Sequence, residues 1–166
     1  MYRTLRTLLG SYLFLFIITA PIFTASLFRK TNDLPHVLAQ HWAQYTLSSA
    51  KTSVDVSGRE NIPNQPAIYM ANHSSFFDVF AVLGHLNVQF KWIVKKELFN
   101  IPLLGINMKR CGYITVDRDN HENALKSIEL AKEKLRSGTS IFIFPEGTRS
   151  ENGVLRYPFK KGGFHL

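Results

Sequence analysis

Residues 141–150 read IFIFPEGTRS. Four apolar residues in succession make a strand with both faces buried, and such a strand needs covering layers on either side of its sheet. Pro145 removes a ladder donor, so the chain must turn as the strand ends. Immediately upstream, residues 121–136 place Ala124, Leu125, Ile128, Ala131 and Leu135 on one helical face, pair Glu122 with Lys126, and reach a stop at Gly138. Further back, residues 67–71 (AIYMA), 90–94 (FKWIV) and 112–116 (GYITV) are strand candidates separated by helical segments, with no internal repeat. The alternation predicts an α/β fold, a mixed sheet flanked by helices. An entry hairpin or strand is expected around residues 53–56, joined to the sheet through the turn-rich stretch 61–66, which holds Pro63 and Pro66.

Composition narrows the class. With 166 residues, 45% hydrophobic and 19% charged, the chain can bury a core, which excludes disordered and collagen-like proteins. The single Cys111 excludes an intramolecular disulfide and a cysteine-rich zinc site, and favours a reducing compartment. A net charge of +8 favours polyanionic partners: nucleic acid, an anionic lipid surface or a phosphorylated substrate.

The charges are unevenly placed. Residues 7–28 carry none, while Arg3 and Arg6 precede them and Arg29 and Lys30 follow. About 20 helical residues rise roughly 30 Å, enough to cross a bilayer core, and Pro21 permits a dip into one leaflet instead. Basic residues at both ends give no orientation, and the absence of an A-x-A site argues against a cleaved signal peptide. After Asp33, a cap with Pro35 in the first turn, residues Leu34, Val37, Leu38, Trp42 and Tyr45 recur at helical spacing. That stripe suits either a membrane interface or packing on the globular part. The chain divides into membrane-anchoring or interfacial helices over residues 1–50 and a catalytic domain over residues 51–166.

Three motifs carry chemistry. Residues 72–78 (NHSSFFD) lie at a strand-to-helix turn, where Ser75 as cap would put Asp78 in the first helical turn and a fold-back at Ser74 would bring His73 beside it. The carboxylate would hold one imidazole N–H, leaving the other ring nitrogen to accept a proton from an attacking hydroxyl. The competing reading is a capping box with Asp in place of Glu; a metal site including His85 lacks any recognised ligand spacing. Residues 112–118 (GYITVDR) end in Arg118, a phosphate fork or else a surface partner of Asp117, and Lys95 and Lys96 add charge upstream. In the third motif, residues 144–150, Gly147 permits close backbone approach, Arg149 supplies a second fork and Glu146 can accept hydrogen bonds from hydroxyls. Such a set suits a phosphorylated polyol, and an ordinary polar turn is the alternative.

In this order and spacing, NHSSFFD, GYITVDR and FPEGTRS closely resemble the glycerophospholipid acyltransferases of the lysophosphatidate acyltransferase type. Residues 95–98 (KKEL), 101–105 (IPLLG) and 159–164 (FKKGGF) extend the resemblance over about residues 54–166. It implies that His73 is a general base oriented by Asp78, and that Arg118, Glu146, Gly147, Thr148 and Arg149 position a glycerol phosphate, helped by Lys95. The implied reaction moves a fatty acyl group from acyl-CoA or acyl-ACP to the sn-2 hydroxyl of 1-acyl-sn-glycerol 3-phosphate (lysophosphatidic acid), forming phosphatidic acid without a covalent acyl-enzyme. No tightly bound cofactor or metal is expected, and the partners are these substrates and membrane lipids rather than nucleic acid. Backbone N–H groups after Ser74 are candidate donors to the thioester oxygen. Another lysophospholipid acceptor, or a noncatalytic anionic-lipid binder, is the alternative. The expected location is a membrane, the bacterial inner membrane with the catalytic domain on its cytoplasmic side. Family members continue past the FKKGG segment through a further strand and a proline-containing apolar motif, so the resemblance implies a catalytic domain truncated after Leu166.

Overall fold

The computed structural model describes residues 2–28, 33–151 and 153–166. Arg29 and Lys30, expected to close the uncharged stretch, lie outside the described residues, as does the side chain of the expected cap Asp33. Two long helices come first, α1 (Tyr2–Phe28) and α2 (Asp33–Ser49). Strands and helices then alternate: β1 (Ile68–Met70), α3 (Phe77–His85), β2 (Phe90–Lys95), α4 (Leu104–Arg110), β3 (Ile114–Val116), α5 (His121–Arg136) and β4 (Ser140–Ile143).

The strands form one sheet in the order β1-β4-β2-β3, and every pairing is parallel. The α/β class is as expected, but the sheet is not mixed. Each strand-to-strand connection carries a helix, and such crossovers return the chain to the same edge. The expected entry hairpin or strand is also absent: residues 52–58 form no regular element, Gly58 sits at φ 76, and a short 3-10 turn follows at Arg59–Asn61. Among the described residues, β1 therefore has β4 as its partner and no antiparallel neighbour.

Alternation along the strands sorts side chains between two layers. Phe90, Trp92 and Phe142 face α2 and α3, where they pack with Ala39, Ala43, Leu47, Phe80 and Leu83. Ile141 and Ile114 face α5 and meet Ala131, flanked by Ile93, Leu135 and Leu166. α5 forms where its apolar stripe predicts, with the Asn120 side chain accepting from the Asn123 N–H at 3.0 Å as the cap. Near α4, a methyl on Gly105 would lie 2.0 Å from the Phe99 carbonyl oxygen, so only glycine lets that turn close.

α1 is packed polar side in. Its buried face carries Thr7 and Ser11 ahead of Leu15, Ile18 and Ile22. Thr7 donates to the Ser49 carbonyl (3.2 Å), Ser11 and Thr46 share a 2.7 Å bond, and Trp42 Nε1 donates to the Ser11 carbonyl (2.9 Å). Further along, Asn107 of α4 donates to Thr19 at 2.8 Å. α1 is thus fastened to α2 and α4 along most of its length, with Pro21 inside the helix. The outward face is apolar: Leu5, Leu8, Leu9, Tyr12, Leu13, Phe16 and Ile17 are each 50–63% exposed. Of the α2 stripe, Leu38 and Trp42 pack beneath α1 and Tyr45, partly exposed, stacks on Phe14 at 4.7 Å, while Leu34 is exposed.

Candidate active site

All four strands point their carboxyl ends at one edge of the sheet, because all run in the same direction. His73 follows β1, Glu146 to Arg149 follow β4, Lys95 ends β2 and Arg118 follows β3. The parallel topology therefore gathers residues far apart in sequence, as expected at the carboxyl edge of an open α/β sheet.

At the β1 end the chain turns sharply into α3. Ser75 Oγ accepts from the Phe77 N–H at 3.1 Å, one residue earlier than a cap would sit, since Phe76 occupies the cap position. Asp78 lies in the first helical turn, and its Oδ2 collects the N–H groups of Ser74 (2.7 Å) and Ser75 (2.8 Å) together with His73 Nδ1 at 3.1 Å. The capping box is thus only half formed: Asp78 accepts from the Ser75 N–H while Ser75 Oγ serves Phe77 rather than Asp78, and the same carboxylate also holds the imidazole. Partial burial pushes the Asp78 carboxyl up, but the Ser75 N–H, the His73 bond, the Ser74 N–H and the charge of His73 outweigh it and hold the group below its ordinary value. An ionised carboxylate only accepts, so in the neutral imidazole Nδ1 carries the hydrogen and the lone pair is on Nε2. Nε2 has no hydrogen-bond partner among the described residues.

The His73 backbone is fixed as well. Its N–H donates to Glu146 Oε1 at 2.6 Å, and its carbonyl accepts from the Ser150 N–H at 2.6 Å. Glu146 is 2% exposed, and its Oε2 accepts from the Arg156 N–H at 3.0 Å. Glu146, expected to accept substrate hydroxyls, has a backbone donor on each of its two oxygens, as a buried carboxylate requires. The Ser74 and Ser75 N–H groups are likewise occupied by Asp78, so they are not donors to a thioester oxygen.

The other half of the edge is basic and open. Arg118 Nη1 donates to the Gly147 carbonyl, drawing the β3 end toward the β4 end. Asp117 pairs with Lys96 at 2.8 Å instead of with Arg118, and Lys95 approaches Glu97 at 3.5 Å. Thr148 and Arg149 are exposed, and Arg149 makes no ion pair among the described residues. Gly147 has φ 74, and a methyl there would lie 2.9 Å from Cγ of Lys160, whose stem crosses it. His85 closes α3 at the end opposite Asp78, away from any shared metal site with it. Two neighbours escaped the sequence reading: Phe144, whose ring stacks on His73 at 4.1 Å, and Lys160 over Gly147. Phe144 read as the strand end that opens the third motif, and Lys160 only as part of a motif, because neither contact has a local sequence signal.

Known proteins are similar to this chain in sequence and fold. The Acyltransferase family matches residues 53–166. A chloroplastic 1-acyl-sn-glycerol-3-phosphate acyltransferase of Brassica napus is 34% identical over 156 residues, 93% of this chain and 44% of its own length. The corresponding protein of Saccharomyces cerevisiae is 37% identical over 116 residues, 68% of this chain and 38% of its own length. The chain thus spans less than half the length of these relatives. The crystal structure of the 1-acyl-sn-glycerophosphate (LPA) acyltransferase PlsC from Thermotoga maritima aligns with a TM-score of 0.72 at 27% identity, covering 98% of this chain and 69% of that one.

Proposed function

The chain belongs to the acyltransferase family, and from that membership we propose that its protein acylates the sn-2 hydroxyl of 1-acyl-sn-glycerol 3-phosphate, forming phosphatidic acid. The observation that carries the reading is His73, held through Nδ1 by Asp78 with Nε2 open, on the same sheet edge as Arg118 and Arg149. In this reading Nε2 takes the acceptor hydroxyl's proton as its oxygen attacks the thioester carbonyl of acyl-CoA or acyl-ACP. The carbon–sulfur bond then breaks, and the imidazolium returns the proton to the departing thiolate. Asp78 stabilises that imidazolium, and base assistance of this kind contributes about 10²–10⁴-fold. Arg118, Arg149 and Lys95, with the backbone at Gly147 and Thr148, receive the phosphate. No metal or bound cofactor enters the reaction.

The outward face of α1 supports a membrane location. Seven large apolar side chains face away from the protein there, each contributing about 1.5–3 kcal/mol on full transfer out of water. Since α1 is fastened to α2 and α4, it lies along the bilayer surface with its apolar face in lipid rather than crossing alone. We place the domain on the cytoplasmic face of that membrane.

The test is lipid product analysis with the full-length protein, lysophosphatidic acid and each thioester donor supplied separately. Phosphatidic acid should form and His73→Ala should reduce turnover by about 10²–10⁴-fold. Undiminished turnover in that variant would remove His73 as the base.

A further inference from the structure

We propose that Phe144 is a positioning residue for the base: its ring lies flat on one face of the His73 imidazole, fixes the ring's plane, and favours the cation the imidazole becomes when it accepts a proton. The inference rests on the reading of His73 as base. The two rings have centroids 4.1 Å apart and planes within 11°, the shortest separation of any ring pair among the described residues. The neighbouring rings of this layer pack in mixed ways: Trp42–Phe80 at 78° and Phe90–Trp92 at 83° meet edge to face, Trp92–Phe142 is tilted at 55°, and Tyr69–Phe142 is near parallel but with centroids 6.4 Å apart. A flat stack presents the electron-rich face of Phe144 to the imidazole, which is favourable when that ring is positively charged.

The geometry explains why a second contact is needed. The bond from Nδ1 to Asp78 fixes one point of the ring and leaves it free to swing about that line. Contact across the face removes this freedom, so Nε2 points in one direction. Phe144 can do so because it is itself held: Trp92 packs on it at 5.3 Å and Phe142 at 5.4 Å, and Trp92 is 3% exposed. A column of rings thus runs from the core to the base. Phe144 directly follows β4, and Pro145 ends the strand there, which places the last inward-facing ring at the sheet edge. The charged groups around His73 are Asp78 on the ring and Glu146 on the backbone N–H, both of which act independently of Phe144.

The experiment compares Phe144→Leu, Phe144→Tyr and His73→Ala in the full-length protein, measuring kcat, KM for each substrate and the pH–rate profile, with circular dichroism to verify folding. Phe144→Leu should lower kcat about tenfold, leave both KM values within about twofold, and move the acid limb about half a pH unit lower, the size expected from losing one exposed cation–π contact. Phe144→Tyr should recover most of the loss. A ring-fluorinated phenylalanine at 144 keeps the shape but inverts the charge on the ring face, so it should move the acid limb as Phe144→Leu does, and it serves if the leucine variant does not fold. If His73→Ala is inactive while the acid limb stays fixed in the leucine and fluorinated variants, the Phe144 role is overturned and the base assignment survives. If His73→Ala keeps full turnover, the base assignment fails and this inference fails with it.

Discussion

The two halves of the sheet's carboxyl edge are built on opposite terms. On the β1–β4 side, His73 is held through its ring nitrogen, its N–H, its carbonyl and its ring face, and the carboxylate behind it is buried at 2% exposure. On the open side, Lys95 and Lys96 at the end of β2 keep about half their side-chain surface in solvent, and Arg149, in the loop after β4, is exposed. In the proposed reaction proton transfer depends steeply on the position of one atom, and the multiply bonded His73 suits that demand. Attraction between guanidinium and phosphate falls off gently with distance, so flexible cations suffice on the other side. Substitutions should therefore act on turnover in the first half and on substrate affinity in the second.

The largest effect that sharpens this contrast is expected from Asp78→Asn. The amide keeps the size of the carboxylate but removes the charge that would stabilise the proposed imidazolium, and its NH2 can turn toward Nδ1 and favour the other tautomer. We expect kcat to fall about 10²–10⁴-fold with KM for the acceptor nearly unchanged, measured by steady-state kinetics. A variant that instead loses affinity and keeps turnover would break the comparison.

Next comes Glu146→Gln. The carboxylate accepts from two backbone donors, and a glutamine must turn its NH2 toward one of them. An unsatisfied buried donor costs about 1–3 kcal/mol, which should appear as a lowered midpoint in urea unfolding. Turnover should fall too, since the His73 backbone loses one of its anchors. Glu146→Gln that leaves stability unchanged would show that the strut is dispensable.

Smaller again is the effect expected in the open half. Arg149→Ala should raise KM for lysophosphatidic acid about tenfold while kcat stays within about twofold, because one charge-assisted contact contributes roughly 1.5 kcal/mol. Raising the salt concentration should shrink the difference, as expected of exposed charges. A loss of kcat without a change in KM would place Arg149 with the base half instead.

How much of this was legible in the sequence follows the same division between local and non-local causes. The strand cores, α5 with its stop, and the apolar α1 could be read because periodicity, caps and glycine act within a few residues. Strand direction could not, since residues 53–56 look as apolar as an edge strand and only the pairing of β1 with β4 decides. In the site, the approach of Asp78 to His73 was legible because both lie on one turn. The inward rotation of Glu146 was not, because it depends on N–H groups at His73 and Arg156 that converge only in three dimensions. The polar inner face of α1 was not legible, because Thr7 and Ser11 gain meaning only once α2 supplies Thr46, Trp42 and Ser49 as partners.

The smallest effect at neutral pH lies away from the edge, in the layer that supports it. His36 of α2 is fully buried, with Nε2 donating to the Val88 carbonyl at 3.2 Å and Nδ1 accepting from the Tyr113 hydroxyl at 3.4 Å. Burial, then the nearby Lys91 charge, lower its pKa to about 4, against a smaller opposing pull from the Val88 carbonyl. Cys111 and Tyr113, the other titratable groups of this cluster, are both pushed upward by burial and stay neutral here. At pH 7 both folded and unfolded chains hold His36 neutral, so it contributes no pH dependence. As pH falls below about 6.5 the unfolded chain binds a proton that the folded chain refuses, and stability declines until about pH 4. Asp78, held below its ordinary value, loses its contribution only at still lower pH, so the two windows separate. Urea unfolding of His36→Gln between pH 7 and pH 4 should show a flatter decline than the parent. An identical decline in both would mean that the acid sensitivity of the supporting layer arises elsewhere, and would leave the rigid half of the edge resting on groups whose protonation does not change.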